Sequence, residues 1–353
     1  MDKPSTAQIA ALFAPLVGRR VLLAVSGGPD SVALMRLAAR WRAEGQAAGA
    51  RLHVATVDHG LRPGSREEAE AVGRWAEALG LPHRILAWQG AKPKSRVQER
   101  ARAARYALLG AHARELGADY LLTAHHADDQ AETILFRLLR GSGLAGLAGM
   151  HSEVMLGNVV LYRPLLTYPK KALIDYCEAC AQPYFRDPSN ENSAFARTRL
   201  RALLPLLEEA GLSASDLARL GRRAARAEQA LAVQTEAVRA TLRRTPVDGG
   251  VRVPVAHLRD CPEEILRRVI AAEIAALKVG KPLRLDRLER LAQGLCAALH
   301  QGRVSHGTLG GVRLSLAADG LLTLGAEKPR RRGLVQDSAA SKPCEGRGEP
   351  AML

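Results

Sequence analysis

Two histidines and three carboxylates lie within one short stretch of the chain, from His125 to Glu132. If a helix begins near Ala127, Asp129 and Glu132 are three residues apart and share one helix face. Oxygen ligands of this kind suit Mg²⁺ better than Zn²⁺, and a carboxylate pair also suits the ammonium group of a substrate. Acidic residues in a first helical turn also stabilise the helix dipole, but this does not explain the paired histidines. We therefore predict a functional site here.

A second stretch, Ser26–Ser31, has the chemistry of a phosphate-binding loop. It reads Ser-Gly-Gly-Pro-Asp-Ser and directly follows five apolar residues. Gly27 and Gly28 carry no side chain, so backbone N–H groups can approach an anion, and the predicted helix adds its positive end. The loop lacks the lysine of a Walker A loop. Asp30 in this position implies a Mg²⁺ between the carboxylate and the phosphates. The alternative is a strand–helix turn without a ligand.

Predicted strands precede both stretches. The chain alternates predicted helices with four predicted strands, near residues 21–25, 52–57, 82–86 and 120–124. This alternation favours a parallel sheet covered on both faces, and such sheets bind ligands beyond the carboxyl ends of their strands. Ser26–Ser31 follows the first strand, Asp58 and His59 follow the second, and His125 follows the fourth. Topology alone therefore predicts that these residues converge at one edge of the sheet.

The composition indicates a basic protein that binds a polyanion. The 353 residues include 51 Lys and Arg against 36 Asp and Glu, a formal net charge of +15. Nucleic acid is the partner that such a charge favours; a basic bias of the whole proteome is the alternative. The length favours two domains. No apolar run is long enough to span a membrane, and no signal peptide is expected, so we expect no membrane partner.

The cysteines predict a reducing compartment. There are five, scattered along the chain, which is typical of a cytoplasmic protein. Cys177 and Cys180 form a Cys-x-x-Cys pair on a segment with helical periodicity. No second pair at metal-ligand spacing accompanies them, so two small residues on a helix are the favoured interpretation. A cluster or redox site is the alternative.

Taken in order, the motifs resemble those of a known family. The loop at 26–31 is similar to the pyrophosphate loop of the N-type ATP pyrophosphatases, the PP-loop superfamily. Three further motifs, together with this loop, resemble tRNA(Ile)-lysidine synthetases: Asp-His-Gly-Leu-Arg at 58–62, His-His-Ala-Asp-Asp-Gln-Ala-Glu-Thr at 125–133 and Arg-Gly-Ser-Gly-Leu at 140–144. The resemblance is strongest from about residue 20 to 205. Thr198 stands where the family more often has Asn, which is one departure from the pattern.

The resemblance implies a reaction. The family adenylates C2 of the wobble cytidine (C34) of the isoleucine tRNA with a CAU anticodon, and the ε-amino group of L-lysine then displaces AMP. The products are lysidine, AMP and pyrophosphate. Lysidine pairs with A, so the tRNA reads AUA and its identity changes from methionine to isoleucine. The implied partners are therefore ATP, Mg²⁺, L-lysine and this tRNA. The oligomeric state stays open, with a homodimer as one option.

The resemblance also implies roles for single residues. Asp30 and Asp129 would hold Mg²⁺, and Asp129 and Glu132 would bind the lysine substrate. His125 would lie near the reacting phosphate. Arg105 would contact a phosphate or the intermediate; a surface charge on a basic helix is its alternative. The residues that would cradle ATP are Ser26, Gly27, Gly28, Pro29, Asp30 and Ser31.

A group of arginines follows the site in the chain. Arg197, Arg199 and Arg201 have no acidic residue between them, and Arg197 and Arg201 would share one helix face. This pattern favours contact with tRNA phosphates, with a solvated face as the alternative. The glycine-rich segment 140–149 is either a linker or a loop that contacts phosphate or a base. The turn chemistry of Asp187–Asn190 could position the helix that follows.

The domain organisation follows from these patterns. We expect an α/β PP-loop ATP pyrophosphatase domain, similar to the adenine nucleotide alpha hydrolases, followed by helices and a small α+β domain with a hairpin around Asp319-Gly320. By resemblance, the small domain would seat tRNA. The Ser/Pro/Gly-rich end predicts disorder. The expected boundaries are 1–205 for the catalytic domain, 206–245 for a helical linker, 246–327 for the small domain and 328–353 for the tail.

Two other functions stay open at this point. A tRNA thiolase of the same superfamily would need sulfur-handling cysteines, and Cys177 and Cys180 are the candidates. A basic RNA-binding module with a degenerate nucleotide fold is the second. That module would have no need of Asp30, Asp129 and Glu132 beside phosphates.

Overall fold

The computed structural model of the chain describes residues 4–61, 63–90, 92, 95, 97–186, 196–278 and 283–327. The side chains at 196–199, 201 and 202 are outside this description. Contacts divide the chain into two compact units, residues 1–232 and 233–353. The expected domain boundaries at 205 and 245 stay predictions. The predicted turn at Asp187–Asn190 and the predicted tail at 328–353 lie outside the described residues.

The first unit is built on a six-stranded sheet. Its strands are β1 Arg20–Ala24, β2 Arg51–Asp58, β3 His83–Ala87, β4 Tyr120–Leu122, β5 Glu153–Leu156 and β6 Val159–Tyr162. They lie in the order β3-β2-β1-β4-β6-β5. All neighbours pair in parallel except β5 and β6. The predicted parallel α/β sheet is therefore confirmed, and an antiparallel hairpin extends it.

The β5–β6 hairpin was not predicted, although the sequence carries a signal for it. Gly157-Asn158 separates the two strands, and Gly-Asn is a favoured two-residue hairpin loop. Gly157 has a φ of 63°, a conformation that glycine adopts at little cost. The flanking strands are only four residues long, which makes their alternation hard to see in the sequence.

Helices cover both faces of this sheet. The described α-helices as far as residue 241 are α1 Thr6–Phe13, α2 Pro29–Ala43, α3 Ser65–Ala78, α4 Val97–Leu116, α5 Ala127–Leu138, α6 Leu144–Leu147, α7 Lys170–Ala179, α8 Ala196–Glu209 and α9 Ala214–Thr241. Of these, α8 and α9 pack on α5. Alternate β1 residues point to opposite faces: Val21 and Leu23 pack in the cluster with α2, whereas Leu22 and Ala24 pack in the cluster with α4. This two-sided burial explains why β1 is a continuous apolar run.

The helix starts on the carboxyl edge of the sheet are set by local chemistry. Pro29 stands at the first position of α2, where its missing N–H costs nothing. Helix α3 begins at Ser65 after Gly64, whose φ is 82°. Ser65 and Glu68 have the spacing of a capping box, but Ser65 is itself helical and its hydroxyl donates to Asp58 Oδ1 at 2.8 Å, so it does not cap α3.

The second unit contains α10 Glu263–Ala276, α11 Leu285–His300 and an antiparallel sheet. The sheet has the order β7-β8-β11-β10-β9, and the predicted hairpin around Asp319-Gly320 joins β10 to β11. The strands are β7 Thr245–Val247, β8 Gly250–Pro254, β9 Ser305–Leu309, β10 Val312–Leu316 and β11 Leu321–Ala326. Within the described ranges, no helix of either unit is long and apolar enough to cross a bilayer.

Candidate active site

The loop Ser26–Ser31 joins β1 to α2 and is closed by its own hydroxyl groups. Ser31 donates to the Gly28 carbonyl at 3.0 Å and accepts from the Ser26 backbone N–H at 3.1 Å. Because the one Ser31 proton is used, the Ser26 hydroxyl donates across the 3.2 Å to Ser31 Oγ. The loop is thus held in shape before any ligand binds.

Gly27 lets the loop pass close to a neighbouring aromatic ring. Its φ is 89°, and a Cβ at this position would lie 2.9 Å from Phe185 Cδ2 and 3.3 Å from Val72 Cγ2. The backbone N–H of Phe185 donates to the Gly27 carbonyl at 2.9 Å, and the Phe185 ring stacks on Trp75. Glycine is therefore required here by both conformation and space.

A buried histidine connects the loop to α5. His126 precedes α5 in an extended conformation, and its side chain is only about 5% exposed. Its Nε2 lies 3.6 Å from Asp30 Oδ2 and 3.4 Å from Asp129 Oδ2, and its Nδ1 lies 3.5 Å from Asp128 Oδ2. The structure thus places the two carboxylates that sequence assigned to Mg²⁺ around one imidazole nitrogen.

The three carboxylates keep His126 protonated. Burial lowers its pKa, but the hydrogen bonds to Asp128 and Asp30 and the charge of Asp129 outweigh burial and raise the pKa to about 10. The Asp129 N–H also lies 3.4 Å from Nδ1, a contact that would need an unprotonated Nδ1. We assign the imidazolium, because three acids surround the ring and that capping contact is long.

Asp128 and Asp129 accept hydrogen bonds from different parts of the chain. Asp128 Oδ2 accepts from the backbone N–H of Lys170 at 2.8 Å, at the start of α7. The hydrogen bond from His126 lowers the pKa of Asp128 against the effect of burial, with help from Lys170. Asp129 accepts from the backbone N–H of His126 at 3.2 Å. Asp128 therefore anchors α5 to α7, whereas Asp129 lies with Asp30 beside Nε2 of the ring.

The residues present fit a magnesium ion. Oδ1 of Asp30 is buried, and among the described residues it has no hydrogen-bond partner, so this oxygen is available to a cation. In the same part of the chain, no group of three or more His, Cys, Asp and Glu is placed to hold a metal. Mg²⁺ at phosphates needs only one or two protein carboxylates, with phosphates and water completing its shell. Asp30 and Asp129 meet that requirement.

Glu132 and His125 flank this centre. Glu132 lies on the buried face of α5, three residues after Asp129, and is 6% exposed. His125 is half-buried, and its Nδ1 lies 2.9 Å from Thr123 Oγ1. Adjacent residues in extended backbone point to opposite sides. The two histidines consequently have different surroundings.

Arg105 lies in a cavity beside the loop. The cavity has a volume of about 360 Å³ and is lined by the ends of β1 and β2 together with Ser26, His59 and Arg105. Burial lowers the pKa of Arg105, and burial and the Arg105 charge lower the pKa of His59. Arg105 is half-buried in a cleft next to the loop, where its guanidinium favours an anion. Its role as a phosphate ligand stays a prediction.

The glycine-rich segment 140–149 packs against α5. Part of it forms α6, and Arg137 Nη1 donates to the carbonyls of Gly146 and Gly149 at 2.9 and 2.7 Å. The Gln130 amide donates to the Met150 carbonyl at 2.9 Å and accepts from its N–H at 2.7 Å. These bonds use carbonyls that a free linker would leave to solvent, so the segment is an ordered support for α5.

Cys177 lies on α7, as the helical interpretation predicts, and Cys180 directly follows the last residue of that helix. Cys177 is buried, and its thiol donates to the Pro29 carbonyl at 3.5 Å. Burial, with the nearby Cys180, raises the pKa of Cys177 to about 12. A thiol with such a pKa is a poor nucleophile and a poor metal ligand. Cys177 thus supports the loop from behind.

The three arginines predicted to contact tRNA lie on α8. The backbone of Arg197, Arg199 and Arg201 belongs to α8, but their side chains are outside the described part of the chain. Helix α8 packs on α5, with Leu200 buried against Ile134 in a shared cluster. The predicted tRNA contacts of the three arginines stay a prediction.

His126 and His59 belong to the site although the motifs assign neither of them a role. The motif resemblance assigns a role to His125 of the pair, whereas His126 is the histidine that lies beside Asp30 and Asp129. The signal that distinguishes them is the predicted helix start at Ala127, because the residue before a helix commonly turns its side chain toward the first turn. For His59, the strand-end position was noticed, but the cavity that it lines forms only in three dimensions.

Comparison with known proteins first defines the class. The family model of the PP-loop domain matches residues 1–207. Among solved structures, the U34-tRNA thiolase NcsA from Methanococcus maripaludis is similar, with a TM-score of 0.52 and 18% identity, over 62% of this chain and 78% of that one. At this identity the likeness shows the fold alone. The protein is therefore a PP-loop protein, and the expected fold class is confirmed.

Curated relatives then define the family. The tRNA(Ile)-lysidine synthase of Methylobacterium sp. (strain 4-46) is 50% identical, over 88% of this chain and 90% of its own length. Those of Methylobacterium nodulans and Rhodopseudomonas palustris are 50% and 44% identical and are each covered over 92% of their length. The chain belongs to the family of tRNA(Ile)-lysidine synthases. The resemblance found from the motifs, and the expectation of an enzyme, are confirmed.

Proposed function

We propose that this chain uses ATP to ligate L-lysine to C2 of the wobble cytidine of the isoleucine tRNA with a CAU anticodon. The observation that carries the proposal is the meeting of Asp30 and Asp129 at one imidazole, beside the loop Ser26–Ser31. Membership in the family supports the substrate. A thiolase has no support from the buried Cys177 thiol, and a simple RNA-binding module has no use for this arrangement of acids.

The first step is adenylation of the base. The O2 oxygen of the cytidine attacks the α-phosphorus of ATP, the bond to the bridging oxygen of the β-phosphate breaks, and pyrophosphate leaves. Backbone N–H groups of the loop and the start of α2 stabilise the leaving charge. In our proposal, Arg105, which lines the adjoining cavity, contacts a phosphate. A Mg²⁺ held by Asp30 and Asp129 would neutralise further charge on the pyrophosphate.

The second step is displacement of AMP by lysine. The ε-amino nitrogen attacks C2, the C2–O bond breaks toward AMP, and the amine loses a proton. In our proposal, Asp129 and Glu132 hold the side-chain ammonium before the attack. The burial of Glu132 supports this, because a buried carboxylate attracts a cation more strongly than an exposed one does. Both acids lie on α5, next to the position expected for the activated base.

Labelled lysine tests the substrate and the reaction together. The protein is incubated with ATP, Mg²⁺, labelled L-lysine and isoleucine tRNA transcripts that carry either C or U at the wobble position. We expect label in the C transcript alone, with one AMP and one pyrophosphate formed for each lysine incorporated. Incorporation into the U transcript, or AMP formation without any lysine in the RNA, would contradict the proposal.

Three finer proposals accompany this function. We place the protein in the cytoplasm, which is supported by free cysteines at 177, 180, 261 and 296. We propose that the sheet-containing second unit helps to seat tRNA. The homodimer is a prediction that sedimentation velocity of the full chain would test.

A further inference from the structure

Helix α9 carries an unusual run of arginines. From Asp216 to Glu228 the sequence contains no other acidic residue, yet it contains Arg219, Arg222, Arg223 and Arg226. At 100° per residue, these four side chains fall within about one third of the helix circumference and extend over about 10 Å of its length. All four are exposed. We call this set the α9 stripe.

The α9 stripe brings exposed arginines together on one helix face with few acids beside them. Other exposed helical arginines of this protein have an acid one turn away, as in the pairs Arg66–Glu70 and Arg290–Asp286. In the stripe, Arg219 pairs with Asp216 at 2.6 Å. Within the described ranges, Arg222, Arg223 and Arg226 have no ion pair. Three neighbouring guanidinium groups that repel one another are unfavourable unless an anion joins them.

The opposite face of α9 fixes the stripe to the catalytic helix. Leu217, Ala218, Gly221 and Ala224 are buried there. A Cβ on Gly221 would lie 2.5 Å from Ile134 Cδ1 and 3.4 Å from the Leu147 carbonyl oxygen. Helix α9 therefore crosses α5 in close contact, two residues along α5 from Glu132. The stripe is rigidly attached to the helix that carries the site acids.

We propose that the α9 stripe is a docking surface for the phosphate backbone of the substrate tRNA. Guanidinium groups bind phosphate with two N–H donors each and need no sequence-specific contact. The exposed Leu220 lies beside the stripe and not within it, so the surface of the stripe suits a polyanion rather than an apolar partner. The inference rests on the proposed function and identifies where the RNA is held while its wobble base is in the site.

The test compares two triple variants with the same change in charge. R222Q/R223Q/R226Q removes the unpaired cations of the stripe. R19Q/R51Q/R114Q removes three exposed arginines of the same unit, near the amino ends of β1 and β2 and near the end of α4. That edge of the sheet is opposite the site, and within the described ranges these arginines have no ion pair either. All six positions are exposed, so both variants should fold, and their melting temperatures check this.

The KM for tRNA and its dependence on salt are the readouts. For the stripe variant we expect a KM for tRNA at least about tenfold higher, with an unchanged KM for ATP. The slope of log KM against log salt should fall by about 2 to 3, since each lost phosphate contact contributes about 0.7 to 0.9. The control variant should keep the wild-type KM and slope.

Two failures can be told apart. If the wild-type protein forms no AMP with tRNA and lysine, the proposed function is wrong. If the wild type is active and the stripe variant keeps its KM for tRNA and its salt slope, the docking surface is wrong. An equal loss in both variants would also overturn it, because total charge and not the stripe would then bind the RNA.

Discussion

Replacing His126 by glutamine removes the cation that three carboxylates surround. Without it, Asp30, Asp128 and Asp129 repel one another around a position that is only about 5% exposed. We therefore predict that H126Q is less stable than the wild type near neutral pH when no divalent cation is present. The expected loss is about 3 to 5 kcal/mol, typical of removing one partner from a buried charged group.

The pKa of His126 predicts how this difference changes with pH. The folded-state pKa is raised from 6.5 to about 10, and one unit corresponds to about 1.4 kcal/mol. The stabilisation, at most about 5 kcal/mol, is complete below pH 6.5 and is lost as pH rises through about 10. The difference in the free energy of unfolding between wild type and H126Q should therefore shrink to zero between pH 7 and pH 10.

Tryptophan fluorescence can follow this unit specifically. All three tryptophans of the chain, Trp41, Trp75 and Trp88, lie in residues 1–232. Urea unfolding in EDTA at several pH values gives the free energy for each variant. H53Q is the control, because burial and the charge of Arg20 lower the pKa of His53, so its contribution has the opposite pH dependence. Two results would refute this reasoning. One is an equal free energy of unfolding for H126Q and wild type at pH 7, and the other is a lower value for H126Q that persists at pH 10.

Three further predictions concern the loop and its surroundings. D30N should lower AMP formation by roughly 100- to 1000-fold, measured as pyrophosphate release, because a carboxylate that would hold Mg²⁺ beside the leaving pyrophosphate is lost. G27A should raise the KM for ATP, since its Cβ would meet the Phe185 ring. Gly18 also has a positive φ, but a Cβ at this position would have no atom within 4 Å. G18A should therefore lower the free energy of unfolding by only about 1–2 kcal/mol, from backbone strain, and leave the KM for ATP unchanged. C177S/C180S should keep its AMP formation, because Cys177 packs behind the loop.

Each of these has an outcome that contradicts it. Wild-type pyrophosphate release by D30N would remove that carboxylate from the reaction. Equal KM values for ATP in G27A and G18A would show that contact with the ring does not shape the loop. A cysteine variant that folds normally and binds ATP but no longer modifies tRNA would restore the thiolase hypothesis.

The loop and the first turns of the helices were predictable because their causes are local. Five apolar residues, two glycines and Pro29 at the helix start determine β1, the turn and α2 within eleven residues of chain. The start of α5 at Ala127 followed in the same way. Convergence at the carboxyl edge also followed, because parallel strands joined by helices leave one edge for all strand-end loops.

Other features depended on neighbours distant in the chain. Ser65 and Glu68 have the local pattern of a capping box, but Asp58 takes the Ser65 hydroxyl. The glycine-rich segment has the composition of a linker, but Gln130 and Arg137 bind its carbonyls. In both cases a side chain from another element offered a better partner than the local one.

The sequence by itself determined the order of the motifs, the parallel sheet, the edge at which the motifs meet and, through the family resemblance, the chemistry. Only the tertiary structure decided that His126, and not His125, lies beside Asp30 and Asp129. It also decided that Arg105 and His59 line one cavity. The packing of the α9 stripe on α5 likewise became visible only in the structure. The physical reason is the distance along the chain between the interacting residues. Turns and helix starts depend on residues that are close neighbours in the sequence. Burial and charge pairing depend on which elements pack together, and a local sequence pattern does not specify this packing.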